Sequence, residues 1–172
     1  MTDRDLPPAR VLLVDDLDEN LVALGALLRD AGVETLAARS GREALELLLE
    51  HEVALALVDV QMPELDGFEL AELMRGSSRT RHVPIIFVTA GASEPRRVFR
   101  GYDAGAVDFL FKPVDQYILR HKVATFCELY RHRQLLARQA RELEETLRLN
   151  ETFVAAVSHD LRNPLNAILM GA

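Results

Sequence analysis

Five short apolar runs constrain this chain most: "VLLVDD" (11–16), "VETLAA" (33–38), "VALALVDV" (53–60), "VPIIFVTA" (83–90) and "AVDFLFK" (106–112). Segments of helical period separate them. Continuous apolar strands need cover on both faces, and strands alternating with helices supply it as a parallel sheet between two helical layers. The expected fold is therefore α/β, a doubly wound five-stranded parallel sheet. Two start signals support the helices. Asp18 is placed to cap the stretch that runs to Asp30 before Gly32, and Ser40 with Glu43 makes an S-x-x-E capping box ahead of "REALELLLE".

After Pro113 the texture changes. Gly and Pro are almost absent from Val114 to Asn163, and a period of seven sets in. With Leu119 at position a, the a and d residues run Leu119, Lys122, Phe126, Leu129, Arg133, Leu136, Ala140, Leu143, Leu147, Asn150, Val154, Val157 and Leu161. Such a stripe predicts one long helix, or two in register. It is too long for one domain surface to cover, so a second copy of the helix is expected beside it, as a parallel homodimer. The polar seam residues Arg133 and Asn150 weaken that pairing but can set its register. Up to about Glu128 the helix can instead fold back on its own sheet.

Composition excludes several functions. A net charge of −7 argues against a nucleic-acid partner held by phosphate contacts. A single cysteine, Cys127, rules out an intramolecular disulfide and any zinc site built on paired cysteines, and it suits a reducing, cytoplasmic setting. No apolar run has the length of a membrane span, and the opening "MTDRDLPPAR" has no signal core. His51, His82, His121 and His132 lack metal-ligand spacing and read as solvated surface.

In an open α/β sheet, ligands sit beyond the carboxyl ends of the strands. Asp15 and Asp16 close the first strand, Asp59 the third and Thr89 the fourth, and Lys112 follows the fifth. Three converging carboxylates repel one another unless a cation lies among them, and all-oxygen ligation favours Mg²⁺ or Mn²⁺. A hydroxyl and an ammonium beside them suit the oxygens of a phosphoryl group. The pocket reads as one for phosphoryl transfer to a carboxylate.

These residues resemble a known family. "VLLVDD", "LVDVQMPELDGFEL", "IIFVTA" and "GAVDFLFKP" are similar in order and spacing to the receiver domain of two-component response regulators, over about residues 9–128. The resemblance implies a flavodoxin-like receiver in which Asp59 accepts a phosphoryl group. It further implies that Asp15, Asp16, Asp59 and the backbone carbonyl of Gln61 bind Mg²⁺, and that Thr89 and Lys112 contact the phosphate. Phe109 falls where the family carries its switch aromatic, and Lys112–Pro113 where it carries a cis-proline.

The last stretch, "FVAAVSHDLRNPLNAI", resembles the phosphoacceptor box of histidine kinases, over roughly residues 150–172. That implies autophosphorylation at His159, with Asp160 as acid/base partner, Asn163 associated with phosphatase activity and Pro164 as a helix kink. In the heptad frame His159 falls at f, away from the seam. The expected organisation is a tail (1–8), a receiver (9–128), a coiled-coil linker (129–149) and the start of a dimerisation helix (150–172). No ATP-binding domain follows, so the chain is expected to be a piece of a receiver-first kinase, unable to autophosphorylate with ATP alone. Expected partners are a kinase or phosphotransfer protein that feeds Asp59, a downstream response regulator and a second copy of the chain. The rival readings are a dimeric receiver serving only as an interaction module, and a phosphorelay intermediate exchanging phosphoryl groups between His159 and Asp59.

Overall fold

A computed structural model describes residues 8–90, 103, 105, 106 and 108–170, with side chains to His159. The strands are β1 (Arg10–Val14), β2 (Glu34–Ala38), β3 (Leu55–Asp59), β4 (Ile85–Thr89) and β5 (Asp108–Phe111). The helices are α1 (Asp18–Leu28), α2 (Gly41–Glu50), α3 (Gly67–Gly76) and α4 (Gln116–Met170). All strand pairings are parallel, in the order β2-β1-β3-β4-β5. Each strand falls on one predicted apolar run: β1 begins one residue early, at Arg10, and stops before Asp15, β2 loses only its first residue, and β3, β4 and β5 are trimmed at both ends. The helix expected between β4 and β5 falls on residues outside those described.

Alternation along the strands sends side chains to two separate cores. On one face Leu12, Val14, Ala56, Val58, Ile85, Phe87 and Phe109 meet Ala44 and Leu48 of α2 and Phe68, Leu70, Ala71 and Met74 of α3. On the other, Val11, Leu13, Leu55, Leu57, Ile86, Val88 and Leu110 meet Leu21, Leu24 and Leu28 of α1 and Leu119, Val123 and Cys127 of α4. Because both faces are covered, the central strands read as unbroken apolar runs. Cys127 is a packing residue within the second core.

Two helix starts differ from expectation. Asp18 is the first residue of α1 rather than its cap; Leu17 holds the cap position without a side-chain bond. The Asp18 carboxylate instead accepts a hydrogen bond from Arg39 Nε at 2.6 Å, and its charge still suits the positive end of the helix. At α2, Ser40 Oγ accepts from the Glu43 amide at 3.1 Å as expected, but the Glu43 carboxylate accepts from the amide of Arg39, one residue early. A full capping box occurs at α3, between Asp66 and Glu69.

Contacts divide the chain into Met1–Arg131 and His132–Ala172. α4 is a single helix of 55 residues, the first of the two arrangements that its pattern allows. Within the first unit its inner side is core: Leu119 and Val123 are fully buried and Phe126 and Tyr130 partly so. Arg120 donates to the Leu27 carbonyl at 2.8 Å, Lys122 pairs with Asp108, and the Tyr130 hydroxyl bonds Glu52 at 3.3 Å. Leu119, expected as the first residue of a dimer seam, therefore packs against its own sheet and is closed to a partner. Phe126 is largely committed to the same core. In the second unit, Leu136, Leu143, Leu147, Val154 and Val157 are all exposed.

Candidate functional site

The strand order reverses between β1 and β3, because the chain leaves β1 for β2 on one side and returns to β3 on the other. This opens a crevice at their carboxyl ends. Val14 ends β1, so Asp15 and Asp16 stand in the loop just beyond it, while Asp59 is the last residue of β3 and Thr89 the last of β4. Lys112 follows β5, and its peptide bond to Pro113 is cis, as expected. The lysine's backbone amide donates to the Thr89 carbonyl at 2.9 Å, which fixes its stem against β4.

The structure brings four of the predicted side chains together. Carboxylate oxygens of Asp15, Asp16 and Asp59 lie within 4.8 Å of one another. Lys112 Nζ donates to Asp15 Oδ2 at 2.9 Å and to Asp59 Oδ1 at 3.2 Å. Asp15 and Asp59 are buried and Asp16 is half-buried, so the negative charge is concentrated where water screens it poorly. Burial pushes the Asp59 carboxyl above the ordinary aspartate range; Lys112 opposes this, and the neighbouring Asp15 and Asp16 add to it. Burial also works against the charged Lys112, but attraction to Asp15 and Asp59 outweighs it and its pKa is raised. Lys112 stays protonated.

This donor set fits a hard divalent cation. Three carboxylate oxygens lie close enough to converge on one point, and a bound dication would offset both the burial and the neighbouring charges that raise Asp59. Gln61 is exposed two residues past β3. Thr89 is buried at its strand end.

Three contributions were not read from the sequence. Asn20 Nδ2 reaches both carboxylate oxygens of Asp15 at 2.9 Å, and the Leu17 amide donates to Asp15 Oδ1 at 3.0 Å, so Asp15 is held by the first turn of α1. The spacing of Asn20 behind a paired Asp was the available signal. Gly67 lies so close to the β3 end that a Cβ there would come within 2.3 Å of the Asp59 carbonyl oxygen. The glycine of "LDGF" is thus required by close approach to the strand that carries Asp59. Arg75, on α3, donates to the carbonyls of Arg81, Val83 and Gly105 and ties the chain entering β4 to the chain approaching β5.

Phe109 is buried in this structure, with its ring centroid 5.6 Å from that of Phe87, which in turn lies 4.9 Å from Phe68. His159 is exposed on α4 in the second unit. The side chains of Asp160, Asn163 and Pro164 lie outside those described. Among the described residues no helix is long and apolar enough to cross a membrane.

Comparison with known proteins agrees with this geometry. A family model described as the response regulator receiver domain matches residues 11–124. A protein of Vibrio cholerae serotype O1 named "Probable cyclic di-GMP phosphodiesterase" is 37% identical over 149 residues, covering 86% of this chain and 33% of its own. Response regulator PleD of Caulobacter vibrioides is 36% identical over 115 residues, covering 67% of this chain and 25% of its own. The chain thus spans a third or less of the length of these two relatives. The signal receiver domain of a signal transduction histidine kinase from Syntrophus aciditrophicus superposes with a TM-score of 0.64 at 33% identity, covering 70% of this chain and 90% of that one. With its acidic pocket at the switch point of a β2-β1-β3-β4-β5 sheet, a lysine bridging two of the carboxylates and the family match over residues 11–124, this chain belongs to the response regulator receiver family of two-component signalling.

Proposed function

We propose that Asp59 is the phosphoacceptor and that its phosphorylation governs a histidine kinase output through α4. The observation that carries the first half is the pairing of Asp59 with Lys112 inside the Asp15–Asp16–Asp59 cluster. In the transfer, an Asp59 carboxylate oxygen attacks the phosphorus of a phosphorylated donor, and the bond from phosphorus to the donor's nitrogen or oxygen breaks. The donor keeps that bond's electron pair. In this reading Lys112 and the Thr89 hydroxyl hold phosphoryl oxygens. Asp15, Asp16, Asp59 and the Gln61 carbonyl would hold Mg²⁺, which when bound would neutralise charge on the carboxylates and the phosphoryl group.

The second half rests on the segment Ser158-His159-Asp160-Leu161-Arg162-Asn163-Pro164-Leu165, which continues the helix that leaves the receiver. His159 is then the kinase phosphoacceptor, Asp160 its acid/base partner and Asn163 the residue for phosphatase activity, with ATP bound elsewhere. α4 pairs with a second copy along Leu129, Leu136, Leu143, Leu147, Val154 and Val157, and a change in that pairing sets access to His159. The Syntrophus likeness supports a receiver attached to a kinase. One free cysteine, and no helix among the described residues long and apolar enough to cross a membrane, fit a bacterial cytoplasmic protein.

One observation favours a second reading. A match covering 86% of a 172-residue chain runs well past Arg131 wherever it begins, so the Vibrio protein shares part of the exposed helix as well as the receiver. The same receiver and lever can therefore serve a different output, including hydrolysis of a cyclic dinucleotide. Phosphate mapping in cells that make the protein separates the two. The kinase reading expects an acid-labile, base-stable phosphoramidate at His159 together with a hydroxylamine-labile acyl phosphate at Asp59. Acyl phosphate at Asp59 with His159 unlabelled would assign the chain to another output.

A further inference from the structure

We infer that Asn150 is the register-pinning layer of the α4 pair: in a parallel, in-register dimer its amide meets the same amide of the second copy, nine residues before His159. This rests on the dimer reading above. In the second unit the a and d residues are Arg133, Leu136, Ala140, Leu143, Leu147, Asn150, Val154 and Val157. The apolar ones from Leu136 onward are large and exposed except Ala140, with Leu136 at 65% and Leu143 at 61%, which is the surface a partner helix would remove from water. On the outer side, Arg138 Nε pairs with Glu142 Oε1 at 3.0 Å.

The flanking positions choose the orientation. Position g carries His132, Gln139, Thr146 and Phe153, and position e carries Ala137, Glu144, Glu151 and Ser158. Parallel pairing sets each g beside the following e of the partner: His132 by Ala137, Gln139 by Glu144, Thr146 by Glu151 and Phe153 by Ser158. None of these is a pair of like fixed charges. The Thr146 hydroxyl already donates to the Glu142 carbonyl at 2.8 Å, so it asks nothing of the seam. Antiparallel pairing sets e against e, bringing Glu144 and Glu151 together at mid-helix.

Asn150 then chooses the register. Parallel and in register, two amides share one layer, and each can donate to the other. Slipped by one heptad, Asn150 would face Leu143 or Val157; antiparallel, it would face an apolar a residue. Either error buries an amide without a partner. The layer lowers affinity and raises specificity.

The test uses the whole chain, spin-labelled at one outer f position at a time through Arg138→Cys, Glu145→Cys or Thr152→Cys, each combined with Cys127→Ser. Label-to-label distances and dimer affinity are measured with Asn150 present and with Asn150→Leu. The inference expects similar, narrow distances at all three positions, and expects Asn150→Leu to tighten the dimer tenfold or more while broadening the distances or adding larger oligomers. Distances that grow away from mid-helix overturn the parallel pairing, and unchanged affinity with unchanged narrow distances overturns the role of Asn150. A wild-type dimer indifferent to Leu143→Glu would instead sink the dimer reading. Should Cys127→Ser disturb the core in which Cys127 packs, sedimentation of the unlabelled Asn150→Leu and Leu143→Glu chains decides the affinity arm, and cross-linking through those same outer cysteines on the Cys127 background decides the orientation.

Discussion

Leu119 and Leu136 lie on the same helix, at positions a and d of one heptad frame, yet the first is fully buried and the second is 65% exposed. The difference is what stands opposite. Leu119 shares a core with Leu13, Leu57 and Leu110 of the sheet, whereas Leu136 lies in the second unit and belongs to neither core among the described residues. The receiver unit is held by its own core, and the helix unit carries an exposed apolar stripe. An isolated helix in water gains little from its own hydrogen bonds, so the order of such a helix rests on what its apolar stripe packs against.

The largest expected effect breaks or upholds this contrast. Leu119→Ala should cost about 2–5 kcal/mol of receiver stability, as fully buried leucines do, whereas Leu136→Ala should change it by less than about 0.5 kcal/mol and weaken self-association instead. Urea titration followed by receiver signals, beside sedimentation, reads both. Equal losses for the two variants would mean that the second unit folds against the receiver after all.

Next in size is Gly67→Ala. A Cβ within 2.3 Å of the Asp59 carbonyl forces the loop away from β3, and overpacking of this kind costs about 1–3 kcal/mol. Labelling of Asp59 by a small phosphoryl donor should fall more steeply than thermal stability does, because the acceptor strand itself moves. A wild-type labelling rate would show that the loop yields without disturbing the site.

A smaller effect is expected at Asp59 itself. Its carboxyl is raised above the unfolded value by burial and by its acidic neighbours, so the folded state disfavours the ionised form. That penalty is absent below the unfolded pKa and fully present above the folded one. Asp59→Asn should therefore raise the melting temperature of the metal-free protein at neutral pH, with the gain over wild type shrinking as pH falls through the carboxylate range. Added Mg²⁺ should narrow the same gap by stabilising wild type more than the variant. A gap that grows on acidification would contradict the assignment of repulsion at this site.

The smallest effect belongs to the helix unit. Removing the Arg138–Glu142 pair through Arg138→Ala should cost only about 0.2–0.5 kcal/mol of helix stability, readable by circular dichroism at low salt. A much larger loss would mean that the guanidinium takes part in the pairing of the two copies.

Much of the site was legible because its chemistry is local. Asp59, Thr89 and Lys112 fall at strand ends, and a strand end is marked by where an apolar run stops. Asp18 was misread for a related reason: an acidic residue before a helix satisfies the pattern of a cap whether or not its side chain turns to the backbone, and here Arg39, from the loop after β2, draws it away. Asn20 escaped notice because its importance comes from Asp15, five residues earlier and on the other side of a turn.

The amino-acid order by itself determined the five strands, the helices between the first four, the continuity of α4 and the identity of the acidic cluster, since these follow from periodicity and from residues that break it. Tertiary structure alone decided which copy of a repeating pattern is core. Heptad spacing is the same for Leu119 and Leu143, and only the sheet beneath the first makes one a receiver residue and leaves the other on the surface. It also decided that Phe109 lies inward against Phe87, and that Gly67 has no room for a side chain. Each of these depends on a neighbour distant in sequence, and burial is a property of the pair.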